Sequence, residues 1–172
     1  VWVAIQFGIP AVARQVALGL PATTEAAIGK NALAGLDQFV FKSSQLPEAR
    51  RNELQALFAE ITRDLEPGPS SRIEFRMGEK LGPNALALPS GIVVITDELV
   101  KLAGRDEELA AVLAHEVGHL KYRHALRHVL QDSATSLLIV FVTGDVSSVL
   151  GAIPTGLLLT KYSRDFEREA DD

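Results

Sequence analysis

The chain contains no cysteine among its 172 residues. No disulfide can brace the fold, and no thiolate can bind a metal or act as a nucleophile. The absence is compatible with cytoplasm or periplasm and does not choose between them. A dense basic patch is also missing. Lys and Arg total 17 against 22 Asp and Glu, the net charge is −5, and basic residues are scattered or sit beside acids, as in 48-EARRNE-53. That balance argues against nucleic acid as a partner. No internal repeat and no low-complexity run is present. There is no initiating Met, no basic leader region and no small-residue cleavage site, so no signal peptide is recognisable. The charged end 167-EREADD-172 carries no helix cap or breaker, and the chain reads as a fragment of a longer protein.

What is present suits one folded domain: 47% of residues are apolar and 23% charged. Residues 1–20 are strongly apolar but interrupted by Gly8 and Pro10, short of the roughly 20 unbroken residues a membrane helix needs. They read either as a buried docking segment or as the tail of a membrane anchor. Residues 21–45 read as short helical or turn pieces around Pro21, Gly29 and Gly35. Residues 47–65 form an amphipathic helix with Leu54, Leu57, Phe58, Ile61 and Leu65 on one face. After the break 66-EPGPSS-71, residues 72–77 alternate as a strand. Residues 85–96 read as two short strands or a bent one around Pro89-Ser90-Gly91. Together these predict a small antiparallel sheet. Asp97 caps a short helix ending at Gly104, and Asp106 caps a long one running to about residue 131.

That long helix holds all four histidines, in 113-LAHEVGHLKYRHALRH-128. His115 and His119, at i and i+4, share one helix face and can aim two imidazoles at one zinc ion. Glu116 lies roughly 100° round the helix, where a general base would meet a bound water. Gly118 weakens the helix and therefore implies a close backbone approach. The metzincin pattern would put Gly at Tyr122 and His at Ala125, and it fails. His124 and His128 are poorly placed to reach the same metal along one straight helix. His124 reads as a hydrogen-bonding support and His128 as an exposed polar residue.

A carboxylate on a second helix is the remaining option for a third ligand, and 163-SRDFEREADD-172 offers one. Glu167 and Asp171 share a face there. One carboxylate can ligate while the next turn's Asp accepts a proton from the far nitrogen of a ligand histidine. Glu169 and Asp172 lie on other faces.

Three blocks, 84-NALALPSGIVVIT-96, 108-ELAAVLAHEVGHLKYRH-124 and 163-SRDFEREAD-171, together resemble the M48 family of zinc metallopeptidases, which are gluzincins. The first departs at Ser90, where the family usually has Gly; a small residue predicts little change. The resemblance implies an α+β, zincin-like fold, mainly helical, whose small sheet has an edge strand bordering the active-site helix. It implies one zinc per chain held by His115, His119 and Glu167, with Glu116 as the base and Asp171 supporting a ligand. It implies that extended protein substrates lie along the strand at Asn84, Ala85 and Leu86. Groups that help stabilise the oxyanion in the family lie beyond the third block. Residues 1–60 are most similar to membrane-anchored bacterial members, which implies the bacterial cell envelope, on either face, and membrane association through a preceding anchor or an apolar surface.

The expected organisation is an apolar, helical segment over 1–46 and a metallopeptidase domain over 47–172, cut short at its end. A single membrane span within the apolar block 137–159 would divide the metal ligands between two sides of the bilayer. Two spans need roughly 40 residues, and only about 30 lie between Gln131 and Ser163. The block should instead fold as helices packed on the domain. The expected function is a metalloendopeptidase in envelope protein quality control. The alternative is a chaperone-like binding module with a structural or plugged zinc site.

Overall fold

The computed structural model describes residues 8–63, 71–143 and 162–172, with the backbone alone over 135–143. The elements are α1 (Ile9–Gly19), α2 (Ala22–Phe39), β1 (Lys42–Ser43), α3 (Glu48–Ile61), β2 (Arg72–Met77), β3 (Ala85–Leu88), β4 (Ile92–Thr96), α4 (Asp97–Leu102), α5 (Asp106–Lys121), α6 (His124–Thr143) and α7 (Arg164–Asp171). Short 3-10 turns occupy Glu79–Leu81 and Pro89–Gly91.

The run 92-IVVIT-96 is buried at every position. Such a run needs cover on both faces of its sheet, and it has it. Val93 and Ile95 pack with Leu54 and Phe58 of α3 and Leu109, Leu113 and Val117 of α5. Ile92 and Val94 face the other way, toward Leu33 and Leu36 of α2, with Leu86 and Leu88. The domain is therefore α+β, mainly helical, with a four-stranded sheet between helical layers.

The sheet order is β1-β2-β4-β3. β1 and β3 pair antiparallel with their neighbours, but β2 and β4 run parallel, with Arg72 opposite Ile92 and Arg76 opposite Thr96. The expected all-antiparallel sheet is thus corrected to a mixed one. β3 lies between them in sequence yet takes the outer place, so β2 and β4 meet directly. β3 ends the order and packs against α5.

Other expectations change too. Residues 22–39 form one continuous helix rather than short pieces. Its Gly29 is a point of close approach: a Cβ there would come within 2.2 Å of the Pro89 carbonyl oxygen. Ser90, on that turn, has φ +69°, a conformation favouring glycine, so the substitution of Ser for the family's usual Gly carries backbone strain. The Thr96 hydroxyl, rather than Asp97, caps α4 by accepting from Leu99 N–H at 3.3 Å. Asp97 instead opens the helix and, fully buried, accepts from the Ser44 hydroxyl and the Gln45 N–H, each at 2.6 Å. Asp106 likewise follows the N-cap residue, Arg105.

The long histidine helix is in fact two. α5 stops at Lys121, and Arg123 takes φ +54° before α6 begins. Arg123 Nη1 is held by the Ala17 carbonyl at 2.6 Å, with Glu25 Oε2 at 3.6 Å. α1 packs along α6. No helix among the described residues is long and apolar enough to cross a membrane. The block 137–159 is described only to Thr143, as the end of α6, and its remainder and residues 1–7 lie outside the described residues.

Candidate metal centre

One turn of α5 separates His115 and His119, and their Nε2 atoms lie 3.1 Å apart. α7 packs across α5 at Gly118, where a Cβ would come within 2.2 Å of the Ala170 carbonyl oxygen. Ser163 starts α7 by accepting from Phe166 N–H at 3.3 Å, and Phe166 and Ala170 are buried beneath it. This close packing brings Glu167 Oε2 to 3.2 Å from His115 Nε2 and 3.8 Å from His119 Nε2.

The surrounding hydrogen bonds determine which ring nitrogens carry protons. His115 Nδ1 donates to Asp171 Oδ1 at 2.8 Å, and in the neutral ring, the form that binds a metal, its Nε2 then presents a lone pair. His124 Nε2 donates to Glu169 Oε2 at 3.0 Å, so its Nδ1 accepts. His119 Nδ1, 2.8 Å from that Nδ1, must then donate, and its Nε2 also presents a lone pair. With both rings neutral, two imidazole lone pairs and a carboxylate oxygen converge. That arrangement is repulsive unless a cation lies between the three. Tetrahedral ligands about 2.0–2.1 Å from a zinc-sized ion sit about 3.3–3.4 Å from one another, close to the separations here. The donor set fits a divalent cation.

Burial acts in the same direction. His119 is 2% exposed. That burial, followed by the charges of His124 and His115, lowers its pKa to about 3 against an opposing pull from Asp171. It stays neutral at physiological pH, as a metal ligand must. Glu116 is buried on the neighbouring face, and its Oε2 has no hydrogen-bond partner among the described residues. Burial raises its pKa to about 7, with Glu167 adding and His115 and the Ala87 N–H opposing.

The Ala87 contact ties the site to β3. Thr96 N–H donates to the Asn84 carbonyl at 2.9 Å, and β3 continues that antiparallel register. By the alternation of antiparallel ladders, Asn84, Leu86 and Leu88 direct their backbone groups to β4, while Ala85 and Ala87 direct theirs outward. Three of those outward groups have partners, the Ala87 N–H in Glu116 and two others nearby. Asn84 Oδ1 accepts from Ala85 N–H at 3.0 Å, and Tyr162 donates its hydroxyl to the Ala87 carbonyl at 3.3 Å.

The structure thus gathers His115, His119, Glu167 and Asp171, with Glu116 between them and β3. Ala85 and Leu86 lie on the outer strand and Asn84 immediately precedes it, and of these Ala85 offers outward backbone groups. The sequence reading gives no role at the site to Glu169, Arg127 or Tyr162. Glu169, on the far face of α7, accepts from His124 and from Arg127 Nη1 at 2.7 Å. Tyr162 stacks on the His119 ring with centroids 4.2 Å apart. Burial raises its pKa, with Glu116 and Glu167 adding. The local sequence signals for these are weak, because each contact depends on where α6 and α7 meet. His128, expected to be exposed, is half-buried, and its Nδ1 lies 2.8 Å from Asp132 Oδ2.

Comparison with known proteins agrees with this architecture. The sequence matches the model of Peptidase family M48 over residues 48–172. It is 32% identical over 91 residues to the mitochondrial metalloendopeptidase OMA1 of Saccharomyces cerevisiae, covering 52% of this chain and 26% of that protein. It is 37% identical over 100 residues to the metalloprotease YcaL of Escherichia coli, covering 52% of this chain and 37% of that protein. The alignments therefore span about a quarter to two fifths of these relatives. The family match runs from the start of α3 through β3 and the histidine pair to the acids of α7, and the chain belongs to peptidase family M48.

Proposed function

We propose that this chain is a zinc-dependent metalloendopeptidase that hydrolyses peptide bonds in proteins. The observation that carries the reading is the convergence of His115 Nε2, His119 Nε2 and Glu167 Oε2 beside a buried carboxyl whose Oε2 has no partner among the described residues. Two imidazoles and one carboxylate, three protein ligands instead of four, are the donor set of a catalytic rather than a closed structural zinc site. Zinc bound there would supply Lewis acidity, making water more acidic and a carbonyl carbon more electrophilic.

The remaining work falls to this chain's own side chains. Asp171 and His124 hold the two imidazoles in the tautomers that leave Nε2 free. Glu116, with a pKa near 7, takes a proton from the attacking water as the C–O bond forms and delivers it to the amine as the C–N bond breaks. An extended substrate adds to the outer strand over Asn84–Leu88 through the backbone of Ala85 and the carbonyl of Ala87, displacing the Asn84 side chain and the Tyr162 hydroxyl and leaving the Ala87 N–H to Glu116. Unfolded or extended proteins suit this edge. We assign the peptidase unit to 47–172, supported by the family match over 48–172, and 1–46 to an apolar, helical N-terminal segment whose α2 packs on the sheet. Envelope quality control and membrane association are part of the same reading. Membrane association is supported by Val12, Val16 and Leu18 exposed on α1.

The test is cleavage of an unfolded protein by wild type and Glu116→Gln, each with measured zinc content. The expected result is chelator-sensitive cleavage by wild type and zinc-replete, inactive Glu116→Gln. Zinc-replete Glu116→Gln that still cleaves would remove the general-base role. Chelator-induced unfolding with no cleavage would favour the binding-module alternative.

A further inference from the structure

His124 is 0% exposed, begins α6 and follows a turn that reverses the chain at Arg123. Its surroundings fix both of its nitrogens. Nδ1 meets His119 Nδ1 at 2.8 Å, and Nε2 meets Glu169 Oε2 at 3.0 Å. Glu169 is itself fixed by Arg127 Nη1 at 2.7 Å. The Phe166 ring stacks on the imidazole with centroids 4.4 Å apart and planes 7° from parallel, and the Arg127 guanidinium lies 4.4 Å over that same Phe166 ring. The chain Arg127–Glu169–His124–His119 is therefore a hydrogen-bonded relay with one sense of donation. A carboxylate can only accept, so His124 donates to it from Nε2. His124 Nδ1 can then only accept, so His119 donates from Nδ1.

We propose that His124 is a positioning residue that locks His119 in the tautomer required for metal binding, with Glu169 and Arg127 setting its direction. The inference rests on the reading of His119 as a zinc ligand. It gives His119 the support that Asp171 gives His115, but through a neutral imidazole instead of a direct carboxylate. The reason lies in the burial. A carboxylate beside the nearly inaccessible His119 would need its own desolvation offset, whereas the relay keeps the negative charge at Glu169, next to Arg127 and closer to solvent. α7 thereby serves the centre from two faces, with Glu167 and Asp171 toward α5 and Glu169 toward α6.

The test compares wild type with His124→Asn, His124→Leu and Glu169→Leu. Zinc affinity is measured by competition with a chromophoric chelator. The His119 tautomer is measured by imidazole nitrogen NMR on the metal-free proteins. Asn can still accept from His119 Nδ1, so His124→Asn should keep near-wild-type affinity and the Nδ1–H tautomer. His124→Leu should lose roughly 10–100-fold in zinc affinity and show mixed tautomers. Glu169→Leu should show mixed tautomers with a smaller loss of affinity. A folded His124→Leu with wild-type affinity and tautomer overturns the proposal. If His124→Leu does not fold, unchanged tautomer and affinity in Glu169→Leu overturn it. Should wild type bind no zinc, the ligand reading fails by itself, and the tautomers still decide whether the relay directs His119.

Discussion

Gly118 of α5 lies so close to Ala170 of α7 that a Cβ on the glycine would stand 2.2 Å from the alanine carbonyl oxygen. The contact is with backbone, which cannot rotate aside. It is this approach that lets Glu167, one turn before Asp171, reach the histidine pair. Alanine would otherwise favour the helix by about 1 kcal/mol. Gly118→Ala should instead destabilise the metal-free protein by about 1–3 kcal/mol and weaken zinc binding, since α7 must move outward. Denaturant unfolding and zinc competition check both. An alanine variant that gains stability and keeps zinc affinity would show the approach to be unimportant.

Asp171 is exposed but accepts from His115 Nδ1 at 2.8 Å. Asp171→Ala should leave folding nearly unchanged and lower zinc affinity roughly 10–100-fold. Circular dichroism and chelator competition separate the two effects.

Glu116 sets a stability cost with a definite pH window. Its pKa is raised from 4.5 to about 7 by burial. Between those values the folded metal-free protein keeps a proton that the unfolded chain releases, so stability falls as pH rises through the window. Glu116→Gln should therefore stabilise the metal-free protein by on the order of 1–3 kcal/mol above pH 7, with the gain vanishing below pH 4.5. The opposite slope from His119, whose pKa falls from 6.5 to about 3, is common to both proteins and cancels in the difference. Unfolding curves of chelator-treated protein across this range test the sign; a gain that grows toward acid pH would contradict it.

Ser90 occupies a left-handed backbone conformation at φ +69° on the turn after β3. Ser90→Gly should raise stability by about 0.5–1 kcal/mol. The backbone N–H bond to Glu25 Oε1 at 3.3 Å is available to glycine as well. Thermal unfolding decides it, and a lower midpoint for the glycine variant would contradict the strain argument.

Legibility in the sequence follows the range of the interactions. The pairing of His115 with His119 and the shared face of Glu167 and Asp171 are visible because helical periodicity is local. The close approach implied by Gly118 is visible as a helix residue that costs stability without local reason, though its partner Ala170 is not. The break after Lys121 leaves no such trace. Neither Tyr122 nor Arg123 is a conventional breaker, and the left-handed Arg123 is held by Ala17 and Glu25, residues remote in sequence. A single helix through residue 131 is therefore the natural local reading, and with it His124 points away from the metal. The parallel pairing of β2 with β4 is hidden for a related reason. Alternation within 72-RIEFRM-77 and the apolar run 92-IVVIT-96 identify strands, but not which strands become neighbours.

The sequence by itself determined the metal-binding chemistry on offer, the helix that carries two imidazoles and a carboxyl, and, through three blocks in order, the resemblance to a peptidase family. These depend on residue identity and on spacings within one or two helical turns. Tertiary structure alone decided that α7 lies across Gly118, that His124 folds back to hold His119, that Glu169 directs that hydrogen bond, and that Tyr162 and Glu116 take the outward groups of Ala87. Each joins segments remote in sequence, or residues across an unsignalled chain reversal. Their arrangement is set by how buried faces pack, with every buried polar atom near them competing for a partner.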